Sequence, residues 1–409
     1  MSEPFIDQYL HVAFHLDRHI PGYIDAYFGD QSKRDRALAE TPVEPAALAS
    51  TAANLQAELA SASLPDDRKD YLLKQLAAMH AQARKLSGEV LPYVEEVTLC
   101  FDISPERVPD DALEADRAAL DDLLPGSGDL SSRMNAWRDR AIIDADRARA
   151  AIDLILAETR HRTAAFVDLP AGESVEIAFV RDKPWRGYNW YLGDRKSRVE
   201  LNIDLPIYAN QLVDLIAHEA YPGHHTEHCL KGEILYRDRG YEEMSIQLIN
   251  TPECVIHEGI ATTAASIIFP GDEEREWVNS ILYPTVGLDP LPPEAMAISE
   301  HVDRLQSAAG NAALMRHVDQ ASDDEVVTYL MHYALVDIQR ARHRLRFIDD
   351  PLWRPYIFSY HVGRDLLRDW FGDAGQERRI AMFRELLTGQ HTPSRLRRES
   401  ALQSNQTIP

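Results

Sequence analysis

Apolar residues recur three and four positions apart along almost all of this chain, and one block, residues 173–203, breaks the rhythm. That spacing marks helices with one buried face. Residues 44–62 and 67–86 carry it in Ala-, Leu- and Glu-rich form, and 131–165 reads as one long helix with Arg and Asp on its polar face. Pro125-Gly126-Ser127-Gly128 punctuates the chain before that helix. The exceptional block contains VEIAFV, YNWYLG and RVELNID, broken by Pro184, Gly187 and Gly193. Short β-branched and aromatic runs of this kind form strands, here two or three in a small antiparallel sheet. Helical spacing then returns and continues to the end. Thr251-Pro252 predicts a helix start with a hydroxyl cap, and Ser322-Asp323-Asp324-Glu325 has capping-box spacing. The expected fold is mainly α. A helical amino-terminal lobe, 1–165, continues into a lobe spanning 166–409 whose small sheet precedes the chemical motif.

That motif is LVDLIAHEAYPGHHTEHCL, residues 212–230. Four histidines and two glutamates follow the apolar run Leu212, Val213, Leu215, Ile216. Imidazole and carboxylate are the ligands that divalent zinc uses. His218-Glu219 opens like H-E-x-x-H, in which two histidines one turn apart chelate zinc and the glutamate is general base. Here the fourth residue after His218 is Pro222. In a straight helix His224 would lie about 9 Å further along and His225 about 10.5 Å. Neither reaches a shared zinc, whose bonds to nitrogen are about 2 Å. Pro222, however, has no N–H to offer the His218 carbonyl, and Gly223 accepts unusual backbone angles. The helix is expected to bulge or break there. If two residues loop out, His224 takes the place of the second histidine; His225 is the other choice. The histidine not used is expected to support the site or to face substrate.

A catalytic zinc site needs a third protein ligand and an open position for water. Glu258, in CVIHEGIATTAAS, is the candidate, since a glutamate among small residues is costly to bury unless paired or metal-bound. His257 is the alternative, about 100° round the same helix. The expected centre is one zinc ion per chain on His218, His224 and Glu258, with Glu219 as general base.

These residues resemble the bacterial family catalogued as domain of unknown function 885. Its mark, H-E-x-x-P-G-H-H, stands here as residues 218–225, and its E-G-x-A as Glu258-Gly259-Ile260-Ala261. A third mark, a tyrosine followed by a glycine three positions on, stands as Tyr360 and Gly363. The resemblance covers roughly residues 185–370. It implies a helical fold similar to zinc peptidases of the thimet-oligopeptidase and carboxypeptidase Taq type. Where the family continues E-G-W-A-L-Y this chain has E-G-I-A-T-T, which changes a pocket but no proposed ligand. By its place in the third mark, Tyr360 is the candidate oxyanion donor. Arg364, one turn on, is a candidate for a substrate carboxylate. Tyr188, Asn189, Trp190 and Tyr191 are candidate contacts on a strand edge, along which an extended peptide could lie.

A formal net charge of -23 excludes the basic surface that nucleic acid and anionic membranes require. Three cysteines without a C-x-x-C pair suggest neither a disulfide framework nor a cysteine zinc knuckle. The start of the chain lacks a basic stretch followed by an apolar run, and no run reaches 18 apolar residues, so the expected location is cytoplasmic. The expected activity is zinc-dependent hydrolysis of a peptide or small amide. A deacylase, amidase or esterase on non-peptide substrates, and a non-catalytic metal-binding protein, are the alternatives.

Overall fold

The computed structural model describes residues 3–183 and 185–406, the side chains of 404–406 excepted. Pro184, one of the expected strand breakers, lies outside the described residues. The protein is mainly helical with small sheets. Helices span Pro45–Ser61 and Asp66–Leu86, where the periodicity placed them. The capping box forms, with Ser322 and Glu325 each bonded to the other's backbone N–H. Two expectations fail locally. Residues 131–165 are two helices, Leu130–Asp139 and Ala145–Ala164, separated by the strand Ile142–Ile143. That strand pairs with Ile207–Tyr208, and the Asp144 side chain accepts from Arg147 N, so an Asx cap restarts the helix where a continuous one was expected. Pro252 does begin a helix, but the Thr251 hydroxyl donates back to Leu248 O at 3.0 Å and caps nothing.

The block before the motif forms a three-stranded sheet in the order Ser174–Val180, Lys196–Asn202, Gly187–Gly193. The last two make the expected antiparallel hairpin, turning at Asp194 and Arg195 with φ of 47° and 63°, the positive pair of a type I′ turn. The first strand joins in parallel, Ser174 opposite Lys196 and Val180 opposite Asn202. Strand Gly187–Gly193 is therefore a sheet edge.

Each apolar core draws on both sides of residue 165. Leu72, Leu76 and Met79 pack with Leu235, Ile246 and Leu248. Ile152 and Ile155 pack with Leu212, Val213 and Ile216. The latter three are the apolar face of the helix Ala209–Glu219, and their burial stabilises it by on the order of 1.5–3 kcal/mol per side chain. This anchoring fixes the helix that delivers His218 and Glu219. Cys100, Cys229 and Cys254 are free and buried.

Candidate metal centre

The helix carrying His218 ends at Glu219, and a new helix, His224–Lys231, starts after four intervening residues. The Tyr221–Pro222 peptide is cis. Across the break the backbone ladder changes step. Gly223 N bonds Ala217 O at 2.9 Å and Thr226 N bonds Ala220 O at 3.2 Å, each reaching back six residues rather than four. Two residues are thus looped out between His218 and His224. Gly223 makes this possible by close approach, since a Cβ there would stand 1.9 Å from His218 O. The two imidazole rings meet edge-on with centroids 4.7 Å apart. Ligand atoms of His218, Glu219 and His224 all lie within 4.8 Å of one another, and Glu258 Oε2 is 3.6 Å from His218 Nε2.

Burial sets the charge state of these groups. Loss of hydration lowers His218 to about 4, and lowers His224 well below its ordinary value, with His218, His228 and His257 adding repulsion. Both are neutral imidazoles at pH 7, as metal ligands must be. Burial raises Glu219 to about 8, with Glu258 and Asp25 adding to it. It raises Glu258 to about 7 against the opposing hydrogen bond from Tyr356. His224 Nδ1 and Glu258 Oε2 are buried without a hydrogen-bond partner. Orphaned atoms of a nitrogen and a carboxylate beside two crowded carboxyls fit a divalent cation, which would satisfy both and relieve the repulsion. The donor set suits zinc.

Glu258 owes its place to a tight helix crossing. Its helix, Pro252–Ile268, meets Ile357–Phe371 through Gly259 and Gly363; a Cβ on Gly363 would stand 2.4 Å from Val255 O. The crossing brings Tyr356 over Glu258, where its hydroxyl donates to Oε1 at 2.9 Å and leaves Oε2 toward His218. Tyr360, one turn on, packs against Tyr356 and stands 39% exposed within a cavity of about 1400 Å³. Burial, Glu258 and Glu219 hold its hydroxyl firmly protonated. From the sheet edge, Asn189 Nδ2 donates to Glu219 O at 2.5 Å. Gly187 sits where a Cβ would lie 3.4 Å from Glu219 Oε1.

The cavity also takes Tyr188 and Trp190, whose rings lie 4.6 Å apart. Tyr191 is not on its lining; it packs against Phe28 and His228. His225 is also outside. It is fully buried, with Nδ1 2.8 Å from Ser197 Oγ and Nε2 3.0 Å from Glu173 Oε2. It therefore braces the helix His224–Lys231 against the sheet and lies away from the cavity. Arg364 is buried in the wall, donating to Asp303 O at 2.7 Å and to Asp365 at 3.0 Å. His257 points away from His218, its Nε2 lying 3.1 Å from Glu253 and 3.4 Å from Glu227.

Two site residues escape sequence reasoning. Asp25, on the strand Ile24–Tyr27, lines the cavity and accepts a hydrogen bond from Tyr188. No local pattern marks it. Tyr356 had a signal: it precedes Tyr360 by four residues and so shares its helical face.

No family model matches the chain, and no curated protein matches it significantly. Solved structures that resemble it include two presumed lipoproteins. A presumed lipoprotein from Colwellia psychrerythraea aligns over 88% of this chain and 67% of its own length at 14% identity, with a TM-score of 0.54. A presumed lipoprotein of unknown function from Shewanella oneidensis aligns over 97% and 82% at 14% identity, with a TM-score of 0.50. At that identity the likeness is one of fold.

Proposed function

We propose that this chain is a zinc-dependent hydrolase of peptide bonds, related to the domain of unknown function 885 family. The observation that supports it is the convergence of His218, Glu219 and His224 within 4.8 Å, with the Glu258 carboxylate 3.6 Å from His218, at the wall of a large cavity. His218, His224 and Glu258 would hold the zinc, which would supply Lewis acidity and lower the pKa of a water. Glu219, whose burial gives it a high proton affinity, takes the proton of the attacking water and passes it to the leaving amine. Tyr360, kept protonated, donates to the oxygen that gains charge. The edge strand Gly187–Gly193 favours a peptide over a smaller amide or ester, because an extended chain can pair with such an edge.

Glu219→Gln tests the reading. Turnover of an internally quenched peptide library falls by at least ~10²-fold while bound zinc is unchanged. Full activity in that variant would overturn it. Among the described residues no single helix is long and apolar enough to cross a membrane. The presumed lipoproteins of like fold set an anchored, extracytoplasmic location beside the cytoplasmic one read from the sequence, and fractionation of the native cells decides between them.

A further inference from the structure

The cavity wall carries both signs of charge. Asp25, Glu219 and Glu258 line it. Arg138 and Arg186 line it too, and beside Arg138 begins the helix Ile338–Asp349, sequence IQRARHRLRFID. This helix concentrates Arg340, Arg342, Arg344 and Arg346 in a chain whose net charge is -23. Arg340 and Arg344 are four apart and share a helical face; His343 and Arg346, beside them, also line the cavity.

These cations are held by neutral groups. Arg138 donates to Leu335 O at 3.1 Å. Arg186 donates to Pro206 O at 3.2 Å and to Gln211, and lies 5.2 Å from the centre of the Tyr208 ring. Arg340 has one weak carboxylate contact, Asp337 at 3.6 Å. Among the described residues no carboxylate lies within 4.0 Å of Arg138, Arg186 or Arg344. Burial lowers all three, and the neighbouring guanidiniums add to it: Arg340 on each of them, and Arg344 and Arg186 on Arg138, which falls to about 10. Asp303 and Arg368 also line the cavity, and Arg364 and Arg368 act on the Asp303 carboxyl against its burial, so those arginines already have a carboxylate near them. Like charges gathered in a cavity cost free energy that an anion returns, and the guanidinium fork matches a carboxylate.

The geometry points to a carboxylate subsite formed by Arg138 and Arg186, with the basic helix Ile338–Asp349 beside them, that receives an anionic group of the peptide whose scissile bond lies at the metal centre. This rests on the hydrolase reading for the identity of the substrate, though not for the subsite's affinity for carboxylate. The cavity, at about 1400 Å³, exceeds the 300–1,000 Å³ usual for small-molecule sites and has room for an oligopeptide to touch both the metal centre and the arginines. The carboxylate is either the terminal one or an acidic side chain.

Calorimetric titration of the full chain carrying Glu219→Gln separates these sources. The probes are tetra-alanine with a free carboxyl end, the same peptide amidated, and an amidated peptide with one alanine replaced by glutamate. At least one carboxylate peptide is expected to bind tenfold or more tightly than the amidated tetra-alanine, with the gap narrowing as salt is raised. Preference for the free end assigns the terminal carboxylate; preference restored by glutamate assigns a side chain. Adding Arg138→Gln and Arg186→Gln removes the preference, and Arg342→Gln, on the exposed side of the helix Ile338–Asp349, keeps it. Thermal unfolding of the double variant occurs at or above the parent temperature, because like charges have been removed. Equal or undetectable binding of all three peptides overturns the subsite, as does a preference that survives the double variant. If the hydrolase reading fails and the subsite stands, wild type turns over no peptide yet still prefers carboxylate. If the subsite fails and the hydrolase reading stands, wild type cleaves acid and amide alike.

Discussion

Gly223→Ala puts the geometry of the helix break under direct strain. An added Cβ would stand 1.9 Å from His218 O, 2.5 Å from Ala217 O and 2.6 Å from His218 C. All three are backbone atoms of the helix that carries the first ligand, so no side chain can swing aside. Real Cβ contacts do not fall under 3.0 Å, so the His224 segment must withdraw by about 1.1 Å. A withdrawal of that size breaks the Gly223–Ala217 hydrogen bond, now 2.9 Å, and carries His224 away from His218. Metal–ligand distances tolerate about ±0.2 Å, so zinc affinity falls steeply. A misplacement of about 1 Å costs on the order of 10²-fold in rate. Stability falls as well, by about 1–3 kcal/mol, as in other overpacked sites. Zinc titration followed by competition with a chromophoric chelator measures the first effect, and denaturant unfolding in chelator the second. A Gly223→Ala protein that binds zinc with wild-type affinity would show that the close approach of Gly223 to His218 does not position His224.

Two further outcomes follow from neighbouring contacts. Tyr356→Phe removes the hydrogen bond that holds Glu258 Oε1, and is expected to weaken zinc binding or activity about 10- to 100-fold with little loss of fold, read by the same chelator competition. Glu173 carries an acid-sensitive clamp: burial raises its carboxyl, but hydrogen bonds from His225, Tyr221 and Arg160 outweigh this and hold it at about 2, below the ordinary 4.5. A depressed carboxyl stabilises the fold above pH 4.5, and that contribution is lost as pH falls from there toward 2. Glu173→Gln should therefore flatten the acid limb of a stability-against-pH curve, and an unchanged limb would refute the assignment.

How far the sequence could be read depended on whether the cause was local. The break after Glu219 was legible because Pro222 and Gly223 act on their own backbone, and the looped-out pair follows from a missing N–H and a missing Cβ. The choice between His224 and His225 stayed open in the sequence, since a break frees both; the structure engages both nitrogens of His225 with Ser197 and Glu173, which favours His224. Tyr360 and Gly363 looked like two marks of one motif, and the crossing explains the spacing: Gly363 lets the helices touch, and Tyr360 is the residue this brings into the cavity. Where partners lie far off, the sequence was mute. The parallel direction of Ser174–Val180 depends on which strand it meets, and alternation of side chains carries no such information. The helix expected over 131–165 was divided by a pairing of Ile142–Ile143 with residues more than sixty positions away. Asp25 and the arginines of the cavity wall are assembled from distant segments in the same way. The basic helix Ile338–Asp349 lies beside Arg138 only because the fold brings Leu335 to that side chain.

The most direct test of the account is metal content by plasma mass spectrometry, on protein purified without a histidine tag and supplied with zinc. Wild type is expected to hold about one zinc per chain, to lose it in His218→Ala, His224→Ala and Glu258→Ala, and to keep it in His225→Ala. A wild-type chain that takes up no zinc, or one that loses it in His225→Ala while keeping it in His224→Ala, would contradict the centre described here.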